Sequence, residues 1–489
     1  MPILAGVALG ACRAAKRRAR KTPLNLFGIF LQTIVDARAP RIVVIMLSLN
    51  FAPTACAQAE AAQQKWAASW TTAISGPLKK LDLPAGLPPA MVAAIKVQLP
   101  QHEFDFAMPD GRADDQSFRM IVKPDLWGDT VRLRFSNMFG DQDMLISAAA
   151  VGLQQYAGVL LPGSNTLVTF GGKAGITIPV GRTAFSDPVH LPFVTAKNKA
   201  SLIGRNLAVS FAIPGKSGAL STHFSGIHSY ISNPKAGDRT RDEDDFAYPN
   251  LTDTYLLLSE LDVMAPADTR VICAFGDSIT DPISSTDGRD GWPDDLSERL
   301  HQAYGDKVSV VNSAIGGNTV VVKLPGPAAT DTAVDRLDRD VLSISGLTDV
   351  VWLEGINDLG TGQSRPEPVI EGYRRVVEEL HAKNIAAMGA TLTPSLWPDQ
   401  SFADAPFGAV TAAQYGKPQT DSYRKQLNDF IRHSGVFDSV ADMAKATEDP
   451  ATGGLYKNFQ SGDWLHPNRA GHLAMAASVD LAALMHARQ

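Results

Sequence analysis

The feature that most constrains the fold is a change of hydrophobic period near Arg270. Between about Trp66 and Met264 the chain reads as short alternating strands: "SFRMIVKP" sets Phe118, Met120 and Val122 on one face, and "TVRLRFSN" does the same with Val131, Leu133 and Phe135. Gly, Pro, Asn and Asp clusters such as "PDLWGD", "NMFGDQD" and "LPGSN" interrupt at short intervals, and no helix of normal length is expected between Phe118 and Leu261. This pattern predicts an antiparallel β-sandwich of jelly-roll type over residues 58–265, with "YLLLSELDVMAP" as its last strand. After a boundary at Pro266 to Thr269 the grammar becomes strand-helix alternation. "RVICAF", "KVSVVN", "TDVVWLEG" and "IAAMGATL" read as strands, with helices near Trp292 to Tyr304, Val369 to Lys383, Asp421 to His433 and Asn468 to Met485. Residues 266–489 are therefore expected to form an α/β domain whose parallel sheet is covered on both faces, with any ligand at the carboxyl ends of the strands.

A chain of 489 residues exceeds one ordinary core, which agrees with two domains plus a leader. The leader is residues 1–57, which hold eight Lys or Arg against the single acid Asp36. The apolar run "IVVIMLSLNFAPTACAQAE" follows Arg41, is too short to span a bilayer, and ends in Ala55-Cys56-Ala57. Basic, apolar, then small-x-small is the order of a secretory signal, so export with cleavage near Ala57 is expected. Two readings of the long basic lead-in stay open, a start codon downstream of Met1 or an atypical leader. A lipoprotein reading through Cys56 or Cys12 is a further alternative. Without the leader the net charge is near −13, which argues against nucleic acid or anionic polymers as partners. Only Cys273 then remains, so no intramolecular disulfide is expected and the thiol is read as packing.

The run "VICAFGDSIT" stops on Gly-Asp-Ser, which raises Ser278 as a nucleophile at a strand end; the competing reading is a turn in which Asp277 or Ser278 caps a helix. A serine hydroxyl needs a base. In "SGDWLHPN", Asp463 lies three residues before His466, so in a tight turn it can hold one imidazole nitrogen while the other faces Ser278. Asp-x-x-His has two other readings, a helix start and a pair of metal ligands. "VVNSAIGGNTV" offers Gly316, Gly317 and Asn318 in a loop, and "WLEGINDLG" offers the neutral amide of Asn357. Both suit donors to an oxyanion, and each alone is an ordinary turn.

Together, "FGDSITD", "NSAIGGN", "EGIND" and "DWLHP" resemble the four sequence blocks of the SGNH or GDSL hydrolase superfamily, over a stretch from about Arg270 to the C-terminus. The resemblance implies a flavodoxin-like three-layer α/β/α fold and a serine esterase using Ser278 as nucleophile, His466 as base and then acid, and Asp463 as its orienter. It also implies an oxyanion hole made by the Ser278 N–H, the Gly317 N–H and the Asn357 side chain, with no cofactor and no metal. The combination with "GWPDDLSERL" and "GATLTP" resembles secreted bacterial esterases with an N-terminal β-rich domain. The sequence departs from that pattern at Pro282 and Gly291.

The expected partner is a small-molecule or polymer-attached ester, with no nucleic acid and no membrane span in the mature chain; oligomeric state is open. Trp127, Tyr156, His223, His228 and Tyr230 read either as a carbohydrate-binding surface or as packing, and "STHFSGIHSY" as part of one wall of the substrate cleft. The stretch Trp397 to Thr420 reads as a lid or pocket wall, or else as a surface insertion. The rival function is a glycan-binding protein on a hydrolase scaffold; within the enzyme class it is a longer-chain lipase.

Overall fold

Val271, Ile272, Cys273, Ala274 and Phe275 are all buried, so strand Arg270–Gly276 (β1) has no solvent face. That is what an unbroken apolar run requires of a parallel strand covered on both sides. β1 pairs in parallel with Val308–Asn312 (β2) on one side and Leu347–Leu353 (β3) on the other. Ala386–Ala390 (β4) and Ser439–Ala441 (β5) extend the sheet to the order β2-β1-β3-β4-β5. The chain therefore leaves β1 in one direction and later returns on its other side. Loops after β1, β2 and β3 gather at one end of the sheet as a result.

The structure is a computed structural model that describes residues 63–77, 107–108, 111–281, 289–324, 330–397 and 413–486. The leader, Pro282 and most of the stretch read as a lid or wall lie outside these residues. Ala61–Gln489 forms one compact unit. Among the described residues no helix is long and apolar enough to cross a membrane.

Helix Trp292–Tyr304 (α1) occupies the expected span: Pro293 stands in its first turn, Asp294 and Asp295 follow at the positive end of the helix dipole, and Leu296 and Leu300 are buried. Pro366–Ala382 (α2) and Pro418–His433 (α3) start three residues earlier than the periodicity predicted, each with a proline in the first turn. The final helix is a correction. It is two helices, Arg469–Ala477 (α4) and Leu481–His486 (α5), because the Asp480 carboxylate accepts from the N–H groups of Ala482 and Ala483 and starts a new helix. β5 was not foreseen; three residues give too little pattern to read.

The N-terminal part is antiparallel. One sheet joins Gln64–Thr71, Leu258–Pro266, Thr130–Ser136 and Val189–His190, and the other runs Asn250–Leu256, Thr222–Ile231, Asp114–Val122, Leu207–Lys216 and Ala148–Tyr156. Side chains of the two sheets meet edge to face, Phe135 with Phe211 at 5.4 Å and Trp70 with Tyr255 at 4.8 Å between ring centres. The expected last strand is in fact two. At Leu257, which takes a φ of 58°, the chain leaves one sheet and enters the other.

The strand faces opposite these apolar ones are also covered. Opposite Phe118, Met120 and Val122, Arg119 is fully buried. Opposite Val131, Leu133 and Phe135, Arg132 pairs with Asp262 at 2.7 Å and Arg134 with Glu260 at 2.5 Å. These last pairs face the turn before β3: Arg132 donates to Ser345 Oγ at 3.0 Å and Arg134 to Ser343 Oγ at 2.8 Å. The Ala68 N–H donates to Ser345 O at 2.9 Å, and the Ser309 hydroxyl to Ala68 O at 2.7 Å. The antiparallel part is thus hydrogen-bonded directly to the parallel sheet.

Candidate active site

Gly276 ends β1 where a Cβ would lie 2.3 Å from Leu353 O, so only glycine lets the chain turn here. Asp277 then organises the turn: its carbonyl accepts from Thr280 N–H at 3.0 Å and Asp281 N–H at 2.8 Å, and its Oδ1 from Ile279 N–H at 3.0 Å. Ser278 follows, with its Oγ 2.8 Å from His466 Nε2. Asp277 thus closes a turn, rather than capping a described helix, and Ser278 is displayed by it.

His466 comes from the loop before α4. Its Nδ1 lies 2.6 Å from Asp463 Oδ2, while Asp463 Oδ1 accepts from the His466 N–H at 2.9 Å and the Leu465 N–H at 3.0 Å. The loop needs left-handed backbone at Gly462 and Trp464, with φ of 119° and 55°, to bring carboxylate and ring together. Asn468 holds its far end, capping α4 through Ala470 and Gly471 N–H while its Nδ2 donates to Asn458 O and Gln460 O. Burial pulls the His466 pKa down, but the Asp463 hydrogen bond and charge outweigh it and leave it above the ordinary 6.5. Burial likewise pushes Asp463 up, and His466 more than reverses this.

Gly317, with a φ of 75°, turns the chain after β2. The neighbouring Gly316 N–H donates to Asp281 Oδ2 at 3.1 Å, and the Asn318 N–H to Ile315 O at 3.0 Å. Asn357 lies in the helical turn Ile356–Leu359 after Gly355. Its Nδ2 donates to Asn318 O at 2.8 Å, and its Oδ1 accepts from the Tyr415 hydroxyl at 2.8 Å. Among the described residues, neither the Ser278 N–H nor the Gly317 N–H meets an acceptor, and Asn357 Nδ2 has a second proton to give.

Beneath this surface lies a residue the motifs did not single out. Arg336 is fully buried; it donates through Nε to Asn318 Oδ1 at 2.7 Å, through Nη1 to Ser313 O at 2.6 Å and through Nη2 to Gly276 O at 3.0 Å. One guanidinium fork ties the end of β1 to the loop after β2. Nothing local marks it, because the partners of this arginine in "RLDRDVL" lie 18, 23 and 60 positions away. Asp358 anchors the same loop by accepting from Val320, Val321 and Val322 N–H. Two further carboxyls are buried nearby: burial pushes Asp277 up to about 7 and Glu354 up to about 8. Among the described residues, Asp277 Oδ2 and Glu354 Oε1 have no hydrogen-bond partner.

The structure thus brings together Ser278, His466 and Asp463, and sets Gly317 and Asn357 in the two adjoining strand-end loops. Among the described residues no group of three His, Cys, Asp or Glu could hold a metal ion. The residues read as a carbohydrate surface separate: Trp127, His223 and Tyr230 are buried, whereas Tyr156 and His228 are exposed. His223 is turned toward the site. Its Nδ1 lies 2.7 Å from Ala73 O and its Nε2 lies 3.6 Å from Asp281, the residue that holds Gly316.

Residues 274–474 match the model of the GDSL-like Lipase/Acylhydrolase family. No curated protein matches the chain in sequence. Among solved structures, a carbohydrate acetylesterase family member from Sinorhizobium meliloti is 15% identical, over 44% of this chain and 99% of that one, with a TM-score of 0.34. A lipolytic protein of the G-D-S-L family from Desulfitobacterium hafniense is 16% identical, over 44% and 99%, with a TM-score of 0.32. An acetyl xylan esterase is 19% identical, over 42% and 96%, with a TM-score of 0.29.

Proposed function

We propose, from the match of residues 274–474 to the GDSL-like lipase/acylhydrolase family, that the chain is an exported serine esterase acting on short-chain carboxylic esters, acylated carbohydrate among them. Ser278 Oγ attacks the ester carbonyl carbon while His466 Nε2 takes its proton; Asp463 holds the imidazole and stabilises its charged form. The oxyanion accepts from the Ser278 N–H, the Gly317 N–H and Asn357 Nδ2. As the intermediate collapses, the C–O bond to the alcohol breaks and His466 returns the proton to the leaving oxygen. Water then repeats the cycle on the acyl-enzyme and frees the acid. The same reading makes residues 266–489 a flavodoxin-like three-layer hydrolase domain, and residues 58–265 a β-sandwich domain whose His223 supports the site's rim.

The observation that carries this reading is the coincidence of an aligned Ser278–His466–Asp463 chain with two backbone N–H groups that meet no acceptor among the described residues and an Asn357 amide that has one proton to spare beyond its bond to Asn318 O. A glycan-binding protein would have no chemical need for that combination. A short acyl chain is favoured over a lipase's long one because no long apolar stretch near the motifs suggests an interfacial lid. The test is hydrolysis of p-nitrophenyl esters from acetate to palmitate, beside Ser278→Ala. A rate that peaks at acetate or butyrate, and falls at least about 10³-fold in a folded Ser278→Ala variant, is expected. Persistent turnover in that variant refutes the assignment of the nucleophile, and a peak at palmitate favours the lipase.

A further inference from the structure

We infer that Tyr415 is a positioning residue for the oxyanion hole, acting through the Asn357 side chain; this rests on the esterase reading above. An asparagine amide can present either end by turning over about its last torsion, and only its neighbours decide which. Here two neighbours decide it together. The Asn318 carbonyl accepts from Asn357 Nδ2 at 2.8 Å, and the Tyr415 hydroxyl donates to Asn357 Oδ1 at 2.8 Å. With the phenol proton so committed, Thr361 is the donor in its 2.6 Å contact with Tyr415, sharing that proton with Gln414 Oε1 at 3.2 Å, which gives a chain Thr361 to Tyr415 to Asn357. Withdrawing electron density at Oδ1 makes the amide N–H groups better donors, and the one not bonded to Asn318 is the one left for the oxyanion.

Burial and shape reinforce the arrangement. Tyr415 is 7% exposed, and burial pushes its hydroxyl up to about 12, so it stays a donor across the working pH range. Its ring covers Gly360, where a Cβ would meet ring carbons at 2.3 Å; glycine at 360 is what lets the phenol reach the amide. Tyr415 comes from the described end of the stretch read as a lid or wall.

The test uses the full chain with p-nitrophenyl acetate and three variants, Tyr415→Phe, Asn357→Ala and the double variant. Tyr415→Phe keeps the ring over Gly360, and its melting temperature checks the fold. It is expected to lower kcat about tenfold with KM unchanged within about twofold, since the oxyanion exists only after attack. Asn357→Ala is expected to lose about 10²–10³-fold. If Tyr415 acts through Asn357, adding Tyr415→Phe to Asn357→Ala costs nothing further. Losses that multiply in the double variant, or a Tyr415→Phe enzyme at full rate, overturn the inference. Ser278→Ala keeps the two questions apart: if it is inactive while Tyr415→Phe is unimpaired, only the positioning role fails, and if it is active, the esterase reading itself fails.

Discussion

Arg119 in the antiparallel part and Arg336 in the parallel part are buried in the same manner. Arg119 donates to Ser210 Oγ and to the carbonyls of Gly158, Asp242 and Asp244, with the Tyr248 ring centre 4.2 Å away. Arg336 donates to Asn318 Oδ1 and to the carbonyls of Ser313 and Gly276, with the Phe275 ring centre 4.3 Å away. Each is a buried cation that fastens loops to a strand. The difference lies in what those loops present. Around Arg336 the N–H groups of Ser278 and Gly317 find no acceptor among the described residues, and Asn357 keeps a spare proton. Buried charge therefore marks scaffolding in both places, and on the proposed esterase reading the unsatisfied donors beside Ser278 mark where chemistry is done.

The largest effect that would sharpen this contrast belongs to Asp463. Asp463→Asn keeps the shape of the loop but removes the charge that raises His466, so kcat should fall about 10²–10⁴-fold. His466 must be neutral to take the Ser278 proton; in the intact enzyme kcat/KM should thus decline as pH drops through a value above 6.5, and in the variant that limb should move to lower pH. A pH profile with an unmoved acid limb would assign it to another group.

Next come the two arginines themselves. Arg119→Met and Arg336→Met each strand buried carbonyls and should lower stability by about 3–5 kcal/mol in urea unfolding. Only the Arg336 variant should also lose kcat under conditions where both remain folded. Equal losses of kcat would break the comparison.

Glu354 gives a smaller, pH-dependent effect. Its folded pKa, about 8, lies above the ordinary 4.5, so the folded chain keeps a proton that the unfolded chain releases. Its stabilising contribution is complete below about 4.5 and is lost as pH rises toward 8. Glu354→Gln should therefore flatten the decline of melting temperature between about pH 5 and pH 8, and a parallel decline in both proteins would count against a buried proton there. The smallest effect is expected at His223, 3.6 Å from Asp281. His223→Ala should lower kcat/KM about two- to fivefold under conditions where it remains folded, because the Asp281 contact steadies the Gly316 loop from the antiparallel part. An unchanged rate would leave that part with no role at the site.

Local signals made much of this legible. The unbroken apolar run of β1, the proline-led helix α1, and the four blocks carrying Ser278, Gly317, Asn357 and His466 could be read because each depends on neighbours a few residues away. Where a second, distant segment decided the outcome, reading along the chain fell short. The covered face bearing Arg119 depends on the loop at 242–244, and the break at Asp480 on a single cap that outweighs an otherwise continuous apolar period.

The sequence by itself determined that a strand-turn element would display Ser278 and that Asp463 and His466 would share one side of a turn, since chain geometry over three or four residues admits few alternatives. Tertiary structure alone decided that Arg336 would lie beneath the site and that Tyr415 would reach the Asn357 amide across 58 positions of chain. Those contacts follow from how sheet and helices pack, and hydrogen bonds between segments so far apart leave no period in the sequence to announce them.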